Sequence, residues 1–104
     1  MPFLVINIPG SVMPLERGER FEDPLELAFE AERIGASITG GGSSVADVGG
    51  RKVVTSCDID LEVDDVSKAL PVIRRVLIAQ GAPEGTTIRS CEPDEVIYSL
   101  RDDA

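Results

Sequence analysis

The chain has 104 residues, 42% of them apolar, and a formal net charge of −9. That length and apolar share fit one folded domain over residues 1–104 with a modest core rather than a disordered chain, while the charge repels nucleic-acid phosphates and anionic membranes and favours basic partners. Histidine is absent and there are two cysteines, so Ser-His and Cys-His pairs, His-ligated zinc and four-thiolate sites are all excluded.

No apolar run reaches the roughly 18 residues of a membrane span. The opening MPFLVINIPG has no basic n-region and is too short for a signal peptide. Cys57 and Cys91 fall in extended-looking segments and suit a reducing compartment, so a cytoplasmic setting is expected.

Residues 3–8, FLVINI, are apolar at nearly every position, the pattern of a central strand covered on both faces. Pro9 and Gly10 end it. Residues 9–22 read as a long loop of mixed charge, in which Arg17 and Arg20 are candidate binding residues because loops of that length are often functional. Asp23-Pro24-Leu25-Glu26 reads as a helix start, with Asp23 as cap and Pro24 at the first helical position. Leu25, Ala28 and Phe29 share one side, Leu27, Ala31 and Ile34 form an adjoining stripe, and Gly35 is the expected stop.

ASITGGGSSVADVGGRK follows. A short strand is expected first, weakened by Gly40, Gly41 and Gly42. The Gly49-Gly50 turn then leads into RKVVTSCDIDLEV, so the pair predicts a hairpin with a long, mobile tip. The glycine run is no phosphate loop, since no GK[ST] follows it and no helix start succeeds it. Val66, Ala69, Leu70, Ile73 and Leu77 recur at helical spacing. Asp64 or Asp65 is the expected cap, Gly81 the expected stop, and Pro71 predicts a bend or a later start. The tail gives TTIRSC and VIYSL, either one bulged strand or two short ones.

The order β-α-β-β-α-β is that of an α+β, ferredoxin-like fold: a four-stranded antiparallel sheet with two helices on one face. In its usual strand order, 4-1-3-2, the first strand separates Cys57 from Cys91 and forbids a disulfide between them. Strand alternation then sends Cys57, Ile59, Leu61 and Val63 toward the helices, and Asp58, Asp60, Glu62 and Asp64 to the open face. Residues 58–65 hold five carboxylates and no base. A face kept only for solubility usually mixes its signs. The expectation is therefore a docking row for a basic protein, helped by Arg17 and Arg20. No metal is expected, because a flat row of carboxylates diverges where Ca²⁺ or Mg²⁺ needs converging oxygens. No cofactor and no catalytic residue are expected either. Cys57 has no evident base and its parity buries it.

TGGG, then DIDLEVDD, then ALPVIRRVLIAQGAPEGTTIRS resembles a group of small bacterial proteins of mostly unassigned function, some of which resemble immunity proteins that neutralise toxins. The resemblance covers residues 36–100 and implies a non-enzymatic inhibitor of a basic partner such as a toxin. No residue role comes with it. The competing expectation is a small-molecule-binding regulatory module of the same fold, like those that dimerise and bind ligands between subunits, its site lined by residues 39–44 and 81–87. A monomer or weak homodimer is expected, with no dimer centred on the acidic strand.

Overall fold

The computed structural model describes residues 2–10, 14–90 and 95–100. Strand β1 (Phe3–Pro9) is followed by α1 (Pro14–Arg17), a π-helical turn (Gly18–Glu22) and α2 (Asp23–Ala31). Then come β2 (Ala36–Val48), β3 (Arg51–Val63), α3 (Val66–Ala79), β4 (Thr87–Ser90) and β5 (Val96–Ser99). The sheet is antiparallel throughout, in the order β2-β3-β1-β4-β5. The fold is thus α+β, and the first six expected elements arrive in the expected sequence. It differs from the four-stranded expectation by one strand, because the tail forms two short strands that pair with each other, Ile88 beside Tyr98. The connection between them, with Cys91, lies outside the described residues, as do residues 11–13 of the first connection. β1 does lie between β3 and β4.

One core joins Leu4, Ile6 and Ile8 of β1 and Cys57, Ile59, Leu61 and Val63 of β3 to Phe21, Leu25 and Phe29 and to α3's Ala69, Val72, Ile73, Val76 and Leu77. Every second residue is buried in β1 and in β3 from Cys57 to Val63, so the helices cover one face and the other stays open. β1 is therefore one-sided, although its sequence reads as apolar on both faces. Phe3, Val5 and Asn7 are half-buried on the open side.

Four local expectations are corrected. The stretch from Pro14 is helical, not a loop, and continues without a break to Ala31. Asp23 is therefore no cap. It sits in the helical run and donates its N–H to the Gly18 carbonyl, five residues back. That wider turn comes just before Pro24, which cannot donate at all. Gly35 does not end the helix. Arg33 takes the left-handed position (φ 55), and Ile34 and Arg33 donate to the Phe29 and Glu30 carbonyls, which is a Schellman ending. A Cβ at Gly35 would fall where the exposed Asp64 carboxylate now lies. Finally, the glycines do not interrupt β2. The hairpin runs as paired strand to Val48↔Arg51, closed by Gly49 and Gly50, both at positive φ.

α3 starts at Val66 with Asp65 as cap and runs straight through Pro71, which is exposed. Ser67 donates to the Asp65 carboxylate from both its N–H (2.9 Å) and its hydroxyl (2.6 Å). Those bonds, the hydroxyl's first, hold the Asp65 carboxyl below the usual aspartate range.

Candidate functional site: the open face of the sheet

Asp58, Asp60 and Glu62 stand in one row on the open face, half-buried, with Cα atoms about 7 Å apart along the strand. Their neighbours across the ladder decide how open the row is. On the β2 side Gly42 is opposite Asp58 and Gly40 opposite Asp60, so no side chain screens that flank. Ser37 is opposite Glu62. On the β1 side the partners are Asn7, Val5 and Phe3. The Asn7 amide donates to Asp58 Oδ1 at 2.7 Å and fixes that carboxylate. No cation pairs with the row among the ion pairs of the described residues, which join Arg17 to Glu22, Arg20 to Glu16 and Arg75 to Glu32.

The face changes character toward β4 and β5. Val5 pairs with Arg89, and Arg89 with Ile97. Arg89 and Ile97 are exposed. Val5, Asn7, Asp58, Thr87, Arg89 and Ile97 line a shallow depression of about 300 Å³. The open face is thus acidic and unscreened on β3, and apolar with one guanidinium on β4 and β5. The sequence reading missed this second half. Alternation within FLVINI and TTIRS could have found it, but an almost wholly apolar strand hides its parity.

The other expected site residues do not join the row. Asp64 lies one residue past β3, at the bend before α3, in a small depression shared with Arg33, Gly35 and Lys68. Arg17 and Arg20 lie on the helix side of the sheet. Arg17 Nε donates to Glu22 (2.8 Å) and its Nη1 to the Gly42 carbonyl (3.0 Å), which clamps the first helix to the edge strand. Arg20 reaches the Gln80 carbonyl (2.9 Å) and the Gly81 carbonyl (3.1 Å), placing a cation on the C-terminus of α3. Both arginines are spent on internal bonds. Within one chain residues 39–44 lie on the edge strand and residues 81–87 lead into β4, with β3 and β1 between.

The Cys57 thiol is buried, and burial above all pushes its pKa up, against the opposing pull of the Arg17 charge. It stays a neutral core group at pH 7. Among the described residues no group of three or more His, Cys, Asp or Glu is placed to hold a metal ion. No described helix is long and apolar enough to cross a membrane.

No protein-family model matches the chain, and neither does any curated protein. Among solved structures it is similar to a hydantoinase/carbamoylase family amidase from Burkholderia ambifaria, at 13% identity and a TM-score of 0.50. The match covers 94% of this chain and 28% of the amidase. The chain therefore spans little more than a quarter of that enzyme's length, and the likeness is one of fold alone.

Proposed function

We propose that the protein is a non-enzymatic binding module whose open sheet face takes a basic segment of a partner protein. One observation carries the reading. The row Asp58, Asp60, Glu62 has glycine on its outer flank at two of three positions and no cation bonded to it among the described residues. Uncompensated carboxylates cost stability by mutual repulsion, and a basic partner relieves that cost while being steered to the site. The apolar half of the face, with Val5 and Ile97, offers the desolvated contact that charge alone does not provide. An inhibitory, immunity-type role toward a toxin is the specific form of this proposal that the sequence resemblance suggests. The cytoplasmic setting belongs to the same proposal and is supported by a free, buried Cys57 thiol. The amidase chemistry of the structural neighbour is not carried over.

The test is affinity capture from a lysate of the source organism at low and high salt, with wild type and Asp60→Lys/Glu62→Lys as baits. The expected outcome is a basic protein held by wild type, released by salt and lost by the variant. Equal retention by both baits would refute the assignment of the site.

A further inference from the structure

The shallow depression of about 300 Å³ on the open face is floored by two rows that cross the sheet. The strand register puts Asp58, Asn7 and Thr87 side by side in one row, and Val5, Arg89 and Ile97 in the next. Four of these six lining residues are polar. A carboxylate and a guanidinium therefore stand at opposite corners of one hollow, with β1 running between them. Two strand spacings across and two residues along separate Asp58 from Arg89, about 12 Å between Cα atoms. The Asp58 corner is held in place, because the Asn7 amide donates to its Oδ1 at 2.7 Å. That bond uses the nitrogen end of the amide and leaves its oxygen end as an acceptor beside the diagonal.

The charges select the class of ligand. A simple anion would reach Arg89 only against the field of a chain of net charge −9. A simple cation is drawn to Asp60 and Glu62, outside the depression, and is repelled by Arg89 inside it. An apolar ligand would cover four polar side chains without bonding them. A molecule with a cation at one end and an anion at the other gains at both corners. The span sets its length. An extended chain covers about 3.5 Å per residue, so about two or three residues fill the diagonal, less what the two side chains reach toward each other. A peptide bond between the two ends meets the Asn7 amide oxygen with its N–H and the Thr87 hydroxyl with its carbonyl. The peptide's side chains rest on Val5 and on Ile97, which is 62% exposed.

We propose that this depression binds a short peptide of about two or three residues with both termini free, its ammonium on Asp58 and its carboxylate on Arg89. The inference does not rest on the docking reading. A bound peptide covers Val5 and Ile97, so a basic partner that uses the same apolar contact is excluded while the peptide is in place.

The test is a titration of the full chain with alanyl-leucine and alanyl-leucyl-alanine, followed by the NMR shifts of the backbone amides. Saturable shifts are expected at Asn7, Asp58, Thr87, Arg89 and Ile97. Acetylating the peptide's amine or amidating its carboxylate should each weaken binding about tenfold, the usual worth of one charge-assisted hydrogen bond. Asp58→Asn and Arg89→Gln should weaken it as much, and Asp58→Asn keeps an oxygen to accept from Asn7. Binding should also fall as pH rises through the peptide amine's pKa of about 8. Free leucine is too short to reach both corners and should bind more weakly than either peptide. Peptides that cause no saturable shift at these residues overturn the proposal. So do peptides that bind equally well with both termini blocked. Should a variant unfold, the blocked peptides on wild type still decide the matter. No partner protein enters this experiment, so its failure and that of the docking reading are read separately.

Discussion

Gly41 and Gly42 are neighbours on β2 with opposite requirements. A Cβ on Gly41 would fall 2.7 Å from the Asp58 carbonyl oxygen and 3.1 Å from the Arg17 guanidinium carbon. The first of these is backbone and cannot step aside without moving the ladder. A Cβ on Gly42 meets nothing within 4 Å, and neither glycine has a positive φ. Gly41→Ala should therefore destabilise the protein by about 1–3 kcal/mol, the usual range for forcing an extra methyl into a filled space. Gly42→Ala should stabilise it by about 0.5–1 kcal/mol, by removing the entropy cost of an open glycine in a strand. Urea-unfolding midpoints of the two variants should move in opposite directions, and two shifts of the same sign would contradict the contact at Gly41. Arg17 belongs to the same account. In the sequence it is a cation in a polar stretch, with nothing to separate a docking residue from a clamp. Only the fold reveals that its reach ends on Glu22 and the Gly42 carbonyl.

Among the elements, those with a single dominant period were legible. β3 alternates strictly from Cys57 to Val63, and there its apolar and acidic sets separate onto the two faces, whereas Asp64, read with the acidic row, falls past the end of the strand. α3 carries its apolar residues at helical spacing, although the buried stripe centres on Ala69, Val72, Ile73, Val76 and Leu77, with Val66 and Leu70 at its margin. The 14–22 segment was not legible. Pro14 and Gly18 argue against helix, and the signals that overrule them are tertiary: Phe21 is buried in the core and Arg20 bonds the end of α3. β2 was misjudged for a related reason, since glycine weakens an isolated strand but costs less in one held along its length by β3. Pro71 tests the same balance of local and tertiary terms. It breaks the helical pattern by withholding the N–H that the Ser67 carbonyl would accept, yet α3 continues because Val72, Ile73, Val76 and Leu77 bury the next two turns. Because Pro71 is exposed, Pro71→Ala should keep the packing and raise stability by up to about 3 kcal/mol, visible as a higher urea midpoint with slightly more helical signal. No gain would mean that the ring of Pro71 is itself part of the packing.

At the scale of the whole molecule, nineteen acidic residues face ten basic ones. The described ion pairs use arginine and glutamate of the helical layer, Arg17–Glu22, Arg20–Glu16 and Arg75–Glu32, and leave the β3 row uncompensated. The repulsion is therefore spatially biased, strongest on the open face. Salt shortens the range of that repulsion to a few ångströms, so the melting temperature should climb with sodium chloride, by about 4–8 °C for each kcal/mol of repulsion removed in a domain of this size. The bias gives a sharper outcome than the slope alone. Each Asp or Glu changed to Lys adds two charge units, so Asp60→Lys/Glu62→Lys stands at −5 against −9. A double change of the same size on the helical layer, Glu26→Lys/Glu30→Lys, reaches the same net charge from exposed positions on α2. If repulsion is concentrated on β3, the open-face variant should flatten the salt dependence more than the helical one does. If only net charge matters, the two slopes should coincide, and the acidic row would then be one part of a diffuse negative surface rather than a place where a partner's cations are most strongly drawn.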